Sequence, residues 1–235
     1  MKRIMMMALV LVVSVVAAAA LTVGEVIDMG AYENKGISAD MTQNISVPAQ
    51  NMKMRFTGKI YMKGDNSRVE MIIAQDSFNN PAQYQQVKMM KMDEMIIISN
   101  EKDGKSVNIL AYPKLNGYVE STEDEMAGAG AEMDSIAKMA KELVEKVGTE
   151  TFAGVQAMKY RIIPDPEDED AEESFFYVNP SNKLIVGFSF SSEEGSVGTV
   201  EFTQLKTGVE DSLFNAPANM KKFDSVQQLA MSGMM

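Results

Sequence analysis

The sequence predicts an α+β fold, mostly β: a strongly curved antiparallel sheet with a helix laid across its concave face. Three observations carry this expectation. Residues 52–63 alternate between apolar and polar side chains, the period of a half-buried strand. Short β-type runs recur along the chain, separated by Gly, Pro, Asn and Asp turn signals. One segment, Met133 to Val147, switches to the three-and-four spacing of an amphipathic helix.

Taken in order, Leu21 to Asn34 holds a short helix, with Thr22 and Glu25 as a capping box and Val26 and Ile27 as its apolar residues. Ile37 to Val47 is a strand, and Pro48-Ala49-Gln50-Asn51 turns the chain. In the next strand Met52, Met54, Phe56, Ile60 and Met62 share one face, and Lys53, Arg55, Thr57, Lys59 and Lys63 the other. Lys63-Gly64-Asp65-Asn66 closes a hairpin into Ser67 to Ala74, where Val69, Met71 and Ile73 share a face. A polar loop at Asn79-Asn80-Pro81 leads through Gln86 to Met92 to the apolar run Met95 to Ile98. Glu101-Lys102-Asp103-Gly104 turns the chain into strands at Val107 to Tyr112 and Tyr118 to Glu120.

The helix follows. Met133, Ile136, Ala140, Leu143, Val144 and Val147 form its stripe, and Gly148 ends it. Strands resume at Thr149 to Ile163, with a turn at Ala153-Gly154, then at Ser174 to Val178, Leu184 to Phe190 and Val197 to Leu205. That makes nine or ten strands, with the long helix laid across the concave face. The Met-Ser-Gly-Met-Met tail is expected to fray.

Composition narrows the chemistry. The 235 residues include no Cys and no His, so a Ser-His-Asp triad, a thiol nucleophile and an ordinary zinc site are excluded. A net charge of -11 argues against a nucleic-acid partner. No Gly-rich phosphate loop occurs, since Gly128-Ala129-Gly130 lacks the Lys-Ser/Thr continuation. A non-catalytic protein without cofactor or resident metal is the expectation.

The first 20 residues read as an address. Lys2 and Arg3 precede the apolar stretch Ile4 to Val16, and Ala17 to Ala20 supply the small residues of a secretory cleavage site. Cleavage after Ala20 would leave a single domain, residues 21–235, working outside the cytoplasm. The alternative is an uncleaved anchor, because residues 4–24 carry no charge and are long enough to span a bilayer. No Cys stands at the boundary to take a lipid.

Two further features have a chemical reading. The acidic run from Asp165 to Glu173 could bind calcium but lacks the order of an EF-hand loop, and a solvated loop explains it better. Among 22 methionines, Met89, Met90 and Met92 form a cluster that Cu(I) would accept. Core filling comes first, however, because Met52, Met54, Met62, Met133 and Met139 fall at core positions. An adaptable lining for apolar ligands comes second and copper third.

Local phrases add a family. Thr57-Gly58-Lys59-Ile60-Tyr61-Met62-Lys63-Gly64 with Arg68-Val69-Glu70 resembles the early strands of LolA-like outer-membrane lipoprotein carriers. So do Gly148 to Gly154 with Lys159-Tyr160, and Leu205 to Val209 with Ser212-Leu213-Phe214 and Pro217. The resemblance spans residues 37–223 and implies an incomplete barrel, a strongly curved antiparallel sheet with a helical lid over an apolar cavity that receives lipid or lipoprotein acyl chains. Met54, Phe56, Ile60, Met62 and Met71 would line it, and Ile136, Ala140 and Leu143 would cover it. The carriers' arginine after the second strand meets Gly64 here, and Arg68 is the neighbouring candidate. The alternative function is an envelope sensor or structural protein that binds a protein partner through the sheet.

Overall fold

The computed structural model describes residues 21–102, 105–122, 139–164, 173–191 and 195–233. Its strands are β1 (Leu21–Thr22), β2 (Ile37–Val47), β3 (Met52–Lys63), β4 (Asn66–Ile72), β5 (Glu94–Lys102), β6 (Lys105–Tyr112) and β7 (Gly117–Thr122). The second half adds β8 (Leu143–Phe152), β9 (Val155–Ile162), β10 (Glu173–Val178), β11 (Ile185–Ser191), β12 (Val197–Thr207) and β13 (Lys221–Phe223). All 13 join one sheet in the order β1-β8-β9-β10-β11-β12-β2-β3-β4-β5-β6-β7-β13. Every pairing among them is antiparallel except β13 on β7. The single large sheet is curved and does not close into a barrel, so the mostly-β class expected is the one observed.

β2 and β3 have the bounds the alternation predicts, and they pair along their whole length from Ile37↔Met62 to Val47↔Met52. Inner-facing residues follow from that register. Ile37, Ala39 and Met41 lie beside Met62, Ile60 and Gly58 on the concave side. Gly58 is required here, because a Cβ would sit 1.8 Å from the Glu70 carbonyl oxygen of β4. The main core fills this side with Tyr160, Phe176, Val178 and Phe202 from the other half of the sheet.

Among the described residues, three α-helices accompany the sheet. The turn α1 (Val23–Val26) starts as expected, with the Glu25 carboxylate accepting from the Thr22 N–H at 2.7 Å. α2 (Pro81–Met89) is unforeseen; Asn80 caps it by accepting from the Ala82 N–H at 3.0 Å, and Pro81 occupies the first turn. α3 (Val226–Ser232) is capped by Ser225 and pinned by Leu229, which is wholly buried. Met231 and Ser232 therefore end a helix, while Met234 and Met235 lie outside the described residues. None of the described helices is long and apolar enough to cross a membrane.

The long helix is corrected in its second half. Leu143 to Gly148 belong to β8, not to a helix, because β8 pairs with β9 from Val144↔Ile162 onward. Its register shifts between Lys146 and Gly148, leaving Val147 as the extra residue of a bulge. Met133 and Ile136 lie outside the described residues, as does the acidic run Asp165 to Glu172.

Candidate functional site

The concave face changes character along β3. Met52, Met54 and Phe56 are half-buried, whereas Ile60 is 0% exposed and Met62 8%. The cause is residues 23–32, which lie over one end of the face only. Val23, Val26, Ile27, Ala31 and Tyr32 are all buried there against Ile60 and Met62.

Backbone bonds fix this cover. The Val23 and Gly24 N–H groups donate to the Glu142 and Ala140 carbonyls at 3.0 Å each, and the Asp28 N–H donates to the Lys183 carbonyl at 3.0 Å. Tyr32 is the bolt. Its hydroxyl accepts from the buried Ile185 N–H at 2.8 Å, and its carbonyl accepts from the Gly64 N–H at 3.1 Å. Burial holds the Tyr32 phenol far above the ordinary tyrosine range, despite the Ile185 bond that favours the phenolate.

At the other end, Met54 and Phe56 neighbour Ile45 and Gln43 of β2. β4 stops at Ile72, and the chain loops back so that Phe78 bridges to Met54. The Phe78 ring stands edge-on to Phe56, with centroids 6.4 Å apart. A groove of about 580 Å³ opens at this strand-end rim. Ile45, Met54 and Phe78 contribute from the inner side; Asn44, Lys53 and Arg55 contribute from residues that alternate to the outer side.

The eight expected site residues separate accordingly. Ile60 and Met62 are core under the N-terminal cover, and Met71 is half-buried against the same cluster. Met54 and Phe56 stand on the open end. Ala140 lies in a turn, where its carbonyl ties down α1, and Leu143 is 47% exposed at the start of β8, so neither is part of a lid helix. Ile136 lies outside the described residues. Met62 and Met139 pack in or against the core, as their spacing requires, while Met89 projects into solvent at 75% exposure.

Arg68 is not a cavity arginine. It alternates with buried Val69 and so faces outward, where Nε and Nη2 each meet Glu70 Oε1 at 2.8 Å. Nη1 donates to the Leu213 carbonyl at 3.0 Å. Lys63 and Asn100 hold the Val209 and Phe214 carbonyls of the same segment at 3.4 and 2.8 Å. Arg68 thus latches residues 209–216 over the convex face, above Ile98 and Ile109.

No protein-family model matches the chain, and no curated protein sequence does. Solved structures do match. An uncharacterized conserved protein from Thermus thermophilus aligns with a TM-score of 0.51 at 12% identity, over 86% of this chain and 97% of its own. A putative outer membrane lipoprotein-sorting protein domain from Vibrio parahaemolyticus aligns with a TM-score of 0.39 at 13% identity, over 79% and 92%. A LolA superfamily protein from Nitrosomonas europaea aligns with a TM-score of 0.36 at 11% identity, over 84% and 99%. LolA-superfamily proteins are thus among the chain's structural neighbours.

Proposed function

We propose that this chain is an extracytoplasmic, non-catalytic carrier that takes apolar chains of a lipid or lipoprotein onto the open end of its concave face. One observation supports the reading: Met54 and Phe56 continue the row of Ile60 and Met62 yet are only half-buried, and Met54 lines an open groove. Met54 gives that surface a polarizable, adaptable side chain. Each CH₂ that an acyl chain buries there contributes about 0.8 kcal/mol, so a long chain needs few polar contacts to bind.

The test is native mass spectrometry of protein recovered from its native envelope, with a fluorescent fatty-acid titration of the delipidated chain. Lipid adducts and saturable probe uptake are expected. Phe56→Asp, which sets a carboxylate on the apolar surface, should weaken uptake at least about tenfold. A wild type that carries no lipid and takes up no probe overturns the proposal. Export belongs to the same proposal: N-terminal sequencing of the envelope protein should begin at Leu21, and a start at Met1 would make it an anchored one.

A second reading, a sheet that binds a protein partner, is favoured by the edge of β8. Among the described residues β1 pairs only with Leu143 and Val144, and the following Val147 is 53% exposed. A ladder end of this kind accepts an extended peptide.

A further inference from the structure

We propose that the rim groove recognises the anionic headgroup of the amphiphile whose acyl chain lies along Met54 and Phe56. This rests on the carrier reading and goes further by naming the ligand's charge. The groove sits where β2 ends, β3 begins and β12 starts, so it is the exit from the open half of the concave face. Its volume of about 580 Å³ is the size of a small-molecule cleft, enough for a headgroup with the first methylenes behind it.

Its charge runs against that of the molecule. The whole chain is -11, yet this groove brings together the cations Lys53 and Arg55 with one carboxylate, Asp76. Lys53 has no ion-pair partner among the described residues. Arg55 meets Asp76 only at 3.8 Å, with the two side chains 54% and 73% exposed, a pair that an incoming anion can displace at little cost. The guanidinium offers a phosphate or carboxylate two parallel N–H donors, and Lys53 adds a mobile third charge. Polar groups for the rest of a headgroup stand alongside: Asn44, which donates to Thr199 Oγ1 at 3.4 Å, and Asn79. Val197 sits in the same rim at 48% exposure, an apolar shoulder where the chain leaves the headgroup.

The experiment compares dioctanoyl phosphatidylglycerol with dioctanoyl phosphatidylcholine, both as monomers, by isothermal titration with the wild-type chain. The anionic lipid should bind about tenfold tighter at low salt, and the preference should shrink as salt is raised. The double variant Lys53→Gln, Arg55→Gln should lose the preference while keeping phosphatidylcholine binding. Lys59→Gln removes an exposed cation from the same strand outside the groove and should leave the preference intact. Equal affinity for the two lipids, or a preference untouched by the double variant, overturns the headgroup site while the carrier reading stands. Glycerol phosphate binding as tightly as the lipid would make the groove a free-anion site and likewise overturn the proposal. Failure to bind either lipid overturns the carrier reading itself, and the headgroup site with it.

Discussion

Ile60 and Phe56 lie four residues apart on the same face of the same strand, and they meet different surroundings. Around Ile60 the concave side is closed by residues 23–32, with Tyr32, Phe176 and Ile37 all buried to 0% exposure. Around Phe56 the neighbours are Gln43 and Phe78, which also lines the groove. On the proposed reading, the difference divides stability from binding. The covered end contributes the folding energy through close packing, and the open end keeps apolar surface that packing has not used.

The strongest break of that comparison is a pair of equal truncations. Phe176→Ala, which also removes a stacked contact to Tyr160 at 5.1 Å, should cost about 3–5 kcal/mol. Phe56→Ala should cost only about 1 kcal/mol. Urea denaturation of both variants measures the gap, and equal losses would mean that the open end is core as well.

Arg68→Met tests the convex side. It removes the hold on the Leu213 carbonyl and leaves Glu70 without its partner, so stability should fall by about 1.5–3 kcal/mol. Fatty-acid uptake should not change, because Arg68 faces away from the concave side. A loss of uptake without a loss of stability would return Arg68 to the binding surface.

Tyr32→Phe sharpens the account of the closed end. The Ile185 N–H would lose its acceptor inside the core, a cost of about 1–3 kcal/mol. The sign with pH follows from the raised phenol pKa. The unfolded chain releases this proton near pH 10, while the folded chain retains it. Stability from Tyr32 is therefore complete below about pH 10 and lost as pH rises beyond it. Denaturation curves across the alkaline range should show a steeper loss for the wild type than for the variant.

Leu143→Asp should be the mildest. With Leu143 half-exposed at the start of β8, a change within about 0.5 kcal/mol is expected by thermal melting, with acyl uptake unaffected. A collapse of uptake would restore Leu143 to a lid.

Most of the strands were legible because alternation and turn chemistry are local. β2 and β3 ended where Pro48 and Gly64 said they would. α2 was within reach as well, since Asn80-Pro81 is a helix-start signal that outweighs the polar loop around it. β8 was not. Leu143, Val144 and Val147 have helical spacing, but in β8 they share no face: Val144 is buried, Leu143 and Val147 are exposed, and the register shifts at Val147. A bulge is set by the partner strand, here β9, and leaves no local mark. Met54 and Phe56 share the face of Ile60 and Met62 as the alternation predicts, but the groove was invisible, because Phe78 and Asp76 return to β3 only through the loop after β4.

By itself the sequence determined which side chains share a face, since a strand's pleat turns every second residue the same way. It thereby put Met54, Phe56, Ile60 and Met62 in one row and Lys53, Arg55 and Lys59 in the other. Tertiary structure alone decided how much of each row is covered. Residues 23–32 reach Ile60 and stop short of Phe56 because Tyr32 is bolted to Ile185, 153 residues away in the chain. Coverage is a long-range property: it depends on which distant segment packs where, and no local period records that.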